Sequence, residues 1–251
     1  AINNNFPESA VFADKAAEDT FKAYIQTELF DADALAAVLA DFPIPDVKIT
    51  YQQAEAEHKN WNEEWEKNYF QPLIIGDVTE HPRCVIAATF HKDVPQGDYN
   101  IRINPQMSFG TGHHQTTAQM IDRILTDDFK GKFVLDMGCG TGILAILAKM
   151  RGASQCVAVD YDEWCVNNTR DNIALNEISD IMVVHGDASA LKPLENTFDV
   201  IIANINRNIL LGDLPAFARL MHPESMLILS GFYTEDVSRL TEKAQSLSLI
   251  K

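Results

Sequence analysis

Val134-Leu135-Asp136-Met137-Gly138-Cys139-Gly140-Thr141-Gly142 is the stretch whose reading decides the fold. An apolar strand runs into three glycines at alternate positions, and the apolar run Ile143 to Ala148 follows as a helix beginning near Gly142. Glycine serves where a backbone must turn sharply and lie against a ligand with no Cβ in the way. Past that helix, Val157-Ala158-Val159 ends in Asp160, about 20 residues beyond the first glycine, which is the length of one βαβ unit. The spacing sets a carboxylate at the tip of the neighbouring strand, where it can accept both hydroxyls of a ribose.

The same rhythm continues outward. Strands are expected at Phe133–Met137, Cys156–Asp160, Ile181–His185, Phe198–Ala203 and Met226–Ser230, with helices beginning near Gly142, Glu163, Asn206 and Glu235. Alternating β and α with nearly continuous apolar strands predicts a doubly wound α/β fold, a mostly parallel sheet covered on both faces. Upstream lie short strands at Leu73–Ile75, Val85–Phe90 and Ile101–Ile103, then a helix from about Thr116 and a turn at Lys130-Gly131-Lys132. Residues 1–57 read as a small α+β unit with strands at Ala10–Ala13 and Phe21–Gln26. Its helix starts near Asp33, places Leu35, Val38, Leu39 and Phe42 on one face, and is stopped by Pro43 and Pro45. A further strand is expected at Val47, Ile49 and Tyr51. The charged stretch 52–68 reads as helical, with Trp61, Trp65 and Tyr69 on one face, and 58–71 is the expected connector to a larger domain, 72–251.

Composition excludes several classes. With 251 residues, 46% hydrophobic and 22% charged, the chain is long and apolar enough to bury a core. Its 36 acidic against 20 basic residues give a net charge of -16, which supplies no excess of cations for phosphate contacts. An acidic surface favours basic partners instead. Apolar runs such as Val200–Ala203 fall far short of the roughly 18 residues that span a bilayer. The polar N-terminus, Ala1-Ile2-Asn3-Asn4-Asn5, has no signal-peptide pattern, and its missing initiator Met suggests a start inside a longer reading frame. Cys84, Cys139, Cys156 and Cys165 show no C-x-x-C spacing, so neither a metal site nor a disulfide framework is expected, and the cytoplasm is the simplest location.

The glycine pattern also discriminates among nucleotides. A dinucleotide site has its third glycine where this chain has Ile143, and the spacing here is G-x-G-x-G after an acidic Asp136. A carboxylate beside that turn disfavours a pyrophosphate and favours a cationic head. S-adenosyl-L-methionine carries a sulfonium and an ammonium next to a ribose and an adenine. A third carboxylate, Asp187 in Gly186-Asp187-Ala188, follows the third strand of the alternating series and can accept the adenine amino group.

Through VLDMGCGTG, VAVDYD and GDAS in order, the sequence resembles the class I S-adenosylmethionine-dependent methyltransferases. The block Phe109-Gly110-Thr111-Gly112-His113-His114-Gln115-Thr116-Thr117 is similar to the F-G-T-G-x-H-x-T-T signature of the PrmA family, methyltransferases of a large-subunit ribosomal protein (L-eleven). Trp61-Asn62-Glu63-Glu64-Trp65 and Ala203-Asn204-Ile205 resemble that family too. The resemblance implies a class I Rossmann-like methyltransferase domain behind a substrate-recognition domain that is ferredoxin-like but incomplete. It implies cofactor-binding positions at Thr117, Gly138, Asp160 and Asn204, to which the charge and glycine arguments add Asp136, Gly140, Gly142 and Asp187. Phe109, Gly110, Thr111 and Gly112 form the implied substrate loop, closing over the methionine end of the cofactor. Asn204 is the expected orienter of the target amine, and His114 is a second catalytic candidate.

The implied activity is methyl transfer to lysine side chains or an N-terminal α-amine of a basic ribosomal protein, met free rather than on the ribosome. No direct contact with nucleic acid, membrane or metal is expected. Two other readings compete: an adenine-N6 or other nucleic-acid methyltransferase on the same fold, and a non-catalytic binder of the cofactor. The first commonly carries Asn- or Asp-Pro-Pro-aromatic after the fourth strand, and Asn204-Ile205-Asn206-Arg207 has neither prolines nor aromatic. That tetrapeptide also departs from the Asn-Ile-Leu usual in the resembled family, leaving open what lines the amine pocket. Relative to that family, a piece is expected to be missing at each end of the chain.

Overall fold

The structure, a computed structural model, describes residues 11–12, 22–23, 30–40, 71–77, 81–105, 115–192 and 198–249. The chain divides into two compact units, Ala1–His58 and Lys59–Lys251. In the first, β1 (Val11–Phe12) pairs antiparallel with β2 (Lys22–Ala23), and α1 spans Ala32–Ala40. Asp31 starts α1, its Oδ1 accepting from the Ala34 N–H at 2.9 Å. Leu35 and Leu39 are half-buried, but Val38 is 62% exposed, so the apolar stripe is narrower than its spacing suggests. The strand expected at Val47–Tyr51, the connector and its Trp61, Trp65 and Tyr69 lie outside the described residues.

Among the described residues, the second unit holds two sheets. The smaller has the order β3-β4-β5, with β3 (Leu73–Gly76) antiparallel to β4 (Pro82–Ala88) and β4 parallel to β5 (Tyr99–Ile103). The larger is five parallel strands: β6 (Phe133–Met137), β7 (Gln155–Asp160), β8 (Ile181–His185), β9 (Phe198–Asn204) and β10 (Met221–Ser230). Their spatial order is β10-β9-β6-β7-β8. From β6 the chain winds outward one way, then returns and winds the other, so the switch point lies between β6 and β9. Ligands of such sheets bind outside the carboxyl ends of the strands at this crevice. The last strand begins earlier than its apolar run, at Met221, through an irregular stretch before Met226 in which Glu224 takes a positive φ of 77°.

Alternation along each strand divides the core in two. Val134, Cys156, Ala158, Val200 and Ile202 face one side, while Leu135, Met137, Val157, Val159, Ile201 and Ala203 face the other. The first face is covered by α2 (Gln115–Thr126), α3 (Ile143–Met150) and α4 (Glu163–Leu175); α5 (Arg207–Leu220) and α6 (Val237–Ser246) supply Leu210, Leu214, Phe217 and Leu240 to the second. Helix α3 is buried on all sides from Ile143 to Ala148 because it touches β5 of the small sheet as well as β6, β7 and β8 of the large one. An all-apolar helix needs cover all round, and here two sheets provide it. Among the described residues, no helix is long and apolar enough to cross a membrane.

Candidate active site

Parallel winding delivers the strand ends Met137, Asp160, His185, Asn204 and Ser230 to one edge. The buried polar side chains among the described residues are Thr117, Asp136, Thr141, Asp160, Asn168, Thr169, Asn172 and Asp236. Polar groups are hidden at such a cost only where partners satisfy them, and their partners define the site.

Gly138, Gly140 and Gly142 all take left-handed φ, at 74°, 56° and 79°. A side chain is disfavoured there whatever the surroundings. The space a Cβ would enter is taken by protein at two of them: the Ile205 side chain at Gly138, and Thr169 Cγ2, 2.8 Å away, at Gly142. Neither of these two missing Cβ atoms leaves open space behind it. Gly138 admits the residue after β9, and Gly142, the N-cap of α3, admits α4.

Asp160 is 6% exposed. Its Oδ2 accepts from the Gly140 N–H at 2.9 Å and its Oδ1 from the Asp162 N–H at 3.0 Å. A carboxylate offers about four lone-pair sites, so capacity for two further donors remains. Asp136 lies deeper. Its Oδ2 accepts from the Ala145 N–H at 3.1 Å, and its buried Oδ1 has no partner among the described residues. Burial pushes its carboxyl up to about 7; the Ala145 N–H opposes that shift and nearby Asp160 adds to it. An unpartnered buried acidic oxygen two residues ahead of Gly138 suits the cationic head of S-adenosylmethionine, and the spare acceptor capacity of Asp160 suits a ribose diol. Cys139, between the first two glycines, is buried, and burial followed by the charge of Asp136 drives its thiol well above the usual range. It is therefore no thiolate nucleophile.

The structure brings Thr117 and Asn204 together across the crevice. Asn204 Nδ2 donates to Thr117 Oγ1 at 3.3 Å, with Thr117 3% exposed in the first turn of α2. Asp187 sits apart from this pair. It is exposed, caps a 3-10 turn at Ala188–Leu191 by accepting from the Ser189 N–H at 2.8 Å, and lines a shallow cavity with Lys192, Asp213 and Arg219. The Ser189 hydroxyl and N–H hold its carboxyl below the usual range. Phe109, Gly110, Thr111, Gly112 and His114 lie outside the described residues.

The unusual tetrapeptide has a structural explanation. Asn206 caps α5, its Oδ1 accepting from the N–H groups of Asn208 and Ile209 at 3.1 and 3.2 Å. Arg207 pairs with Asp236 at 2.6 Å, and the other Asp236 oxygen accepts from the Tyr233 N–H at 3.1 Å. These bonds tie the turn after β9 to the turn after β10. Gly231, at φ 88°, lets them close, since a Cβ there would stand 2.5 Å from the Ile205 carbonyl oxygen.

The sequence reading missed one cluster altogether. On α4, Asn168 and Asn172 are fully buried and Asn176 follows at the helix end. Asn172 Nδ2 donates to the Thr141 carbonyl at 2.9 Å, while Thr169 Oγ1 donates to the Gly140 carbonyl at 2.8 Å. The signal was present as asparagines spaced four apart, which share a helix face.

Comparison with known proteins completes the description. Residues 3–250 match the family model described as "Ribosomal protein L11 methyltransferase (PrmA)". The protein of that name from Phocaeicola vulgatus is 60% identical over 232 residues, covering 92% of this chain and 80% of the relative. The one from Bacteroides fragilis is 55% identical, covering 92% of this chain and 81% of the relative. Among solved structures, a ribosomal protein L11 methylase from Lactobacillus delbrueckii subsp. bulgaricus superposes with a TM-score of 0.59 at 30% identity, covering 66% of this chain and 85% of that one. On this match, with its class I Rossmann-like sheet, the chain belongs to the ribosomal protein L11 methyltransferase (PrmA) family.

Proposed function

We propose that this protein transfers methyl groups from S-adenosylmethionine to amines of ribosomal protein L11, lysine side chains or the N-terminal α-amine, in the cytoplasm and before ribosome assembly. Family membership across nearly the whole chain carries the reading, and the polar groups at the switch point supply its chemistry. Residues 1–57 are assigned to substrate recognition, 58–71 to a connector and 72–251 to catalysis. The net charge of -16 suits a basic partner and opposes a polyanion.

When bound, the cofactor supplies an electrophilic methyl on a sulfonium. The turn at Gly138, Gly140 and Gly142 would back it, Asp160 would accept from the ribose hydroxyls, and Asp136 would hold the cationic head. Asp187 is assigned to the adenine amino group, and Phe109–Gly112 to the substrate side. Methyl transfer to nitrogen needs a neutral amine aligned with the carbon–sulfur axis. A lysine with a pKa near 10.4 costs roughly 4–5 kcal/mol to deprotonate at pH 7, and an α-amine only about 1 kcal/mol. Desolvation in the crevice lowers the lysine cost. The side-chain oxygen of Asn204 accepts from the amine and orients its lone pair, while the Asn204 amide is anchored on Thr117. His114 is the further catalytic candidate.

The test is incubation with methyl-labelled cofactor and, separately, ribosomal protein L11 and ribosomal RNA. Label is expected in the protein alone. Label only in RNA would overturn the reading in favour of a nucleic-acid methyltransferase, and label in neither would leave a cofactor binder.

A further inference from the structure

Four residues apart on α4, Asn168 and Asn172 hold the backbone of a single residue from both sides. Asn172 Oδ1 accepts from the Asn104 N–H at 2.8 Å, and Asn168 Nδ2 donates to the Asn104 carbonyl at 2.9 Å. Through its other atom, Asn172 donates to the Thr141 carbonyl in the glycine turn. Asn172 Nδ2 also lies 3.4 Å from Asn168 Oδ1, linking the two amides. Both side chains are 0% exposed, and a buried amide is conformationally fixed when its donors and acceptors are engaged. Asn104 follows β5 and precedes Pro105, from which the chain runs into the Phe109–His114 block. One rigid helix face thus grips the cofactor-side turn and the root of the substrate-side block.

We propose that Asn168 and Asn172 are positioning residues for methyl transfer, fixing the backbone of Asn104 in register with the glycine turn. The inference rests on the assignment of the site in the preceding subsection. Its mechanical content is a division of labour. Asn168 holds the substrate side directly, through the Asn104 carbonyl, whereas Asn172 bonds directly to both sides, its link to the cofactor side being the bond to Thr141. An error of about 1 Å in alignment costs methyl transfer far more than it costs binding.

Three variants of the full chain test this, each assayed for methyl transfer to ribosomal protein L11 at saturating cofactor, for S-adenosylhomocysteine affinity by calorimetry, and for thermal midpoint. Asn168→Ala removes the donor to the Asn104 carbonyl and the contact with Asn172 Nδ2 while keeping the Asn172–Thr141 bond, and should lower kcat about fivefold to tenfold with the cofactor Kd within twofold. Asn172→Asp keeps the acceptor for the Asn104 N–H but sets a carboxylate against the Thr141 carbonyl, and should raise the cofactor Kd about tenfold with a smaller change in kcat. Asn176→Ala, which loses bonds to the Arg102 backbone and to the Asn172 backbone carbonyl but leaves the Asn172 side-chain amide and its bonds to Asn104 and Thr141 in place, should leave both unchanged. Equal losses in kcat and affinity for Asn168→Ala, or losses from Asn176→Ala of the same size, would overturn the proposal. If Asn168→Ala fails to fold, the Asn172→Asp result decides alone, and an unchanged Kd there is fatal. A wild-type enzyme that labels no protein removes the assigned function, and the positioning role with it. An active wild type with unaffected variants removes only the positioning role.

Discussion

Asn204 Nδ2 donates to Thr117 Oγ1 at 3.3 Å, joining the end of β9 to the first turn of α2 across the crevice where the winding reverses. With the amide nitrogen committed to Thr117, the oxygen is the atom left to accept, as the proposed orientation of an amine requires. Asn204→Ala is therefore expected to cut methyl transfer far more than cofactor binding. Thr117→Val keeps the shape and removes the anchor; a net hydrogen bond of about 1 kcal/mol corresponds to roughly fivefold in rate. Single-turnover kinetics beside cofactor titrations will decide. Equal losses of transfer and binding in Asn204→Ala would count against orientation.

Asp136 predicts a pH dependence. Its carboxyl, pushed by burial to about 7, titrates near 3.9 in an unfolded chain. Between those values the folded state holds the extra proton, so this group's contribution to stability falls as pH rises from about 4 to about 7 and then levels off. Asp136→Asn removes the slope, so its thermal midpoint should gain on that of the wild type as pH rises. Cofactor binding should go the other way. A cationic head selects the ionised carboxyl, of which about one in ten is present at pH 6, so wild-type affinity should improve about tenfold toward pH 8. Asp136→Asn should bind more weakly without that gain. Comparing the two proteins cancels the titration of the ligand itself, and parallel pH profiles would exclude Asp136 from the cofactor site.

Ile205 is wedged between two glycines in different ways, and a rescue experiment can tell them apart. At Gly138 an added Cβ meets the Ile205 side chain; at Gly231 it meets Ile205 backbone atoms at 2.5, 2.8 and 2.9 Å. Both alanine variants also carry the cost of a left-handed backbone, about 1–3 kcal/mol. Ile205→Ala should recover part of the stability lost in Gly138→Ala and none of that lost in Gly231→Ala. Urea denaturation of the single and double variants measures both couplings.

The Arg207–Asp236 pair should show as a stability term with a definite sign. The Arg207 hydrogen bond, together with the Tyr233 N–H, holds the Asp236 carboxyl below its ordinary range. A depressed carboxyl stabilises the fold above its unfolded pKa near 3.9, and the contribution disappears as pH falls through the lower folded value. Asp236→Asn should thus melt below the wild type at pH 7, with the gap closing below about pH 4. A gap that stays constant across that range would contradict the ion pair as its source.

The parallel sheet was legible because its strands carry two interleaved apolar sets, so Val134 and Leu135, or Ile201 and Ile202, had to face opposite layers. Asp160 was legible because a carboxylate at the end of an apolar strand has no packing role. Ile205 and Asp236 were not, since their significance depends on turns that meet only after β9 and β10 pair. The glycines were legible as glycines, but spacing alone cannot separate one that clears a ligand from one that clears Ile205 or Thr169. Val38 shows the limit of periodicity within the first unit: its place on the apolar face was correct as spacing, yet the described residues leave it exposed.

Asn176 carries a consequence for how this protein behaves in a crowded solution. Among the described residues β5 is an outer strand of the small sheet, and such a strand offers unsatisfied backbone groups to any extended chain that drifts past. The side-chain amide of Asn176 accepts from the Arg102 N–H at 2.8 Å and donates to the Arg102 carbonyl at 2.6 Å, as a neighbouring strand would. It is a one-residue stand-in for that strand and too short to propagate. The same helix face that holds Asn104 and the glycine turn also closes a template for self-association.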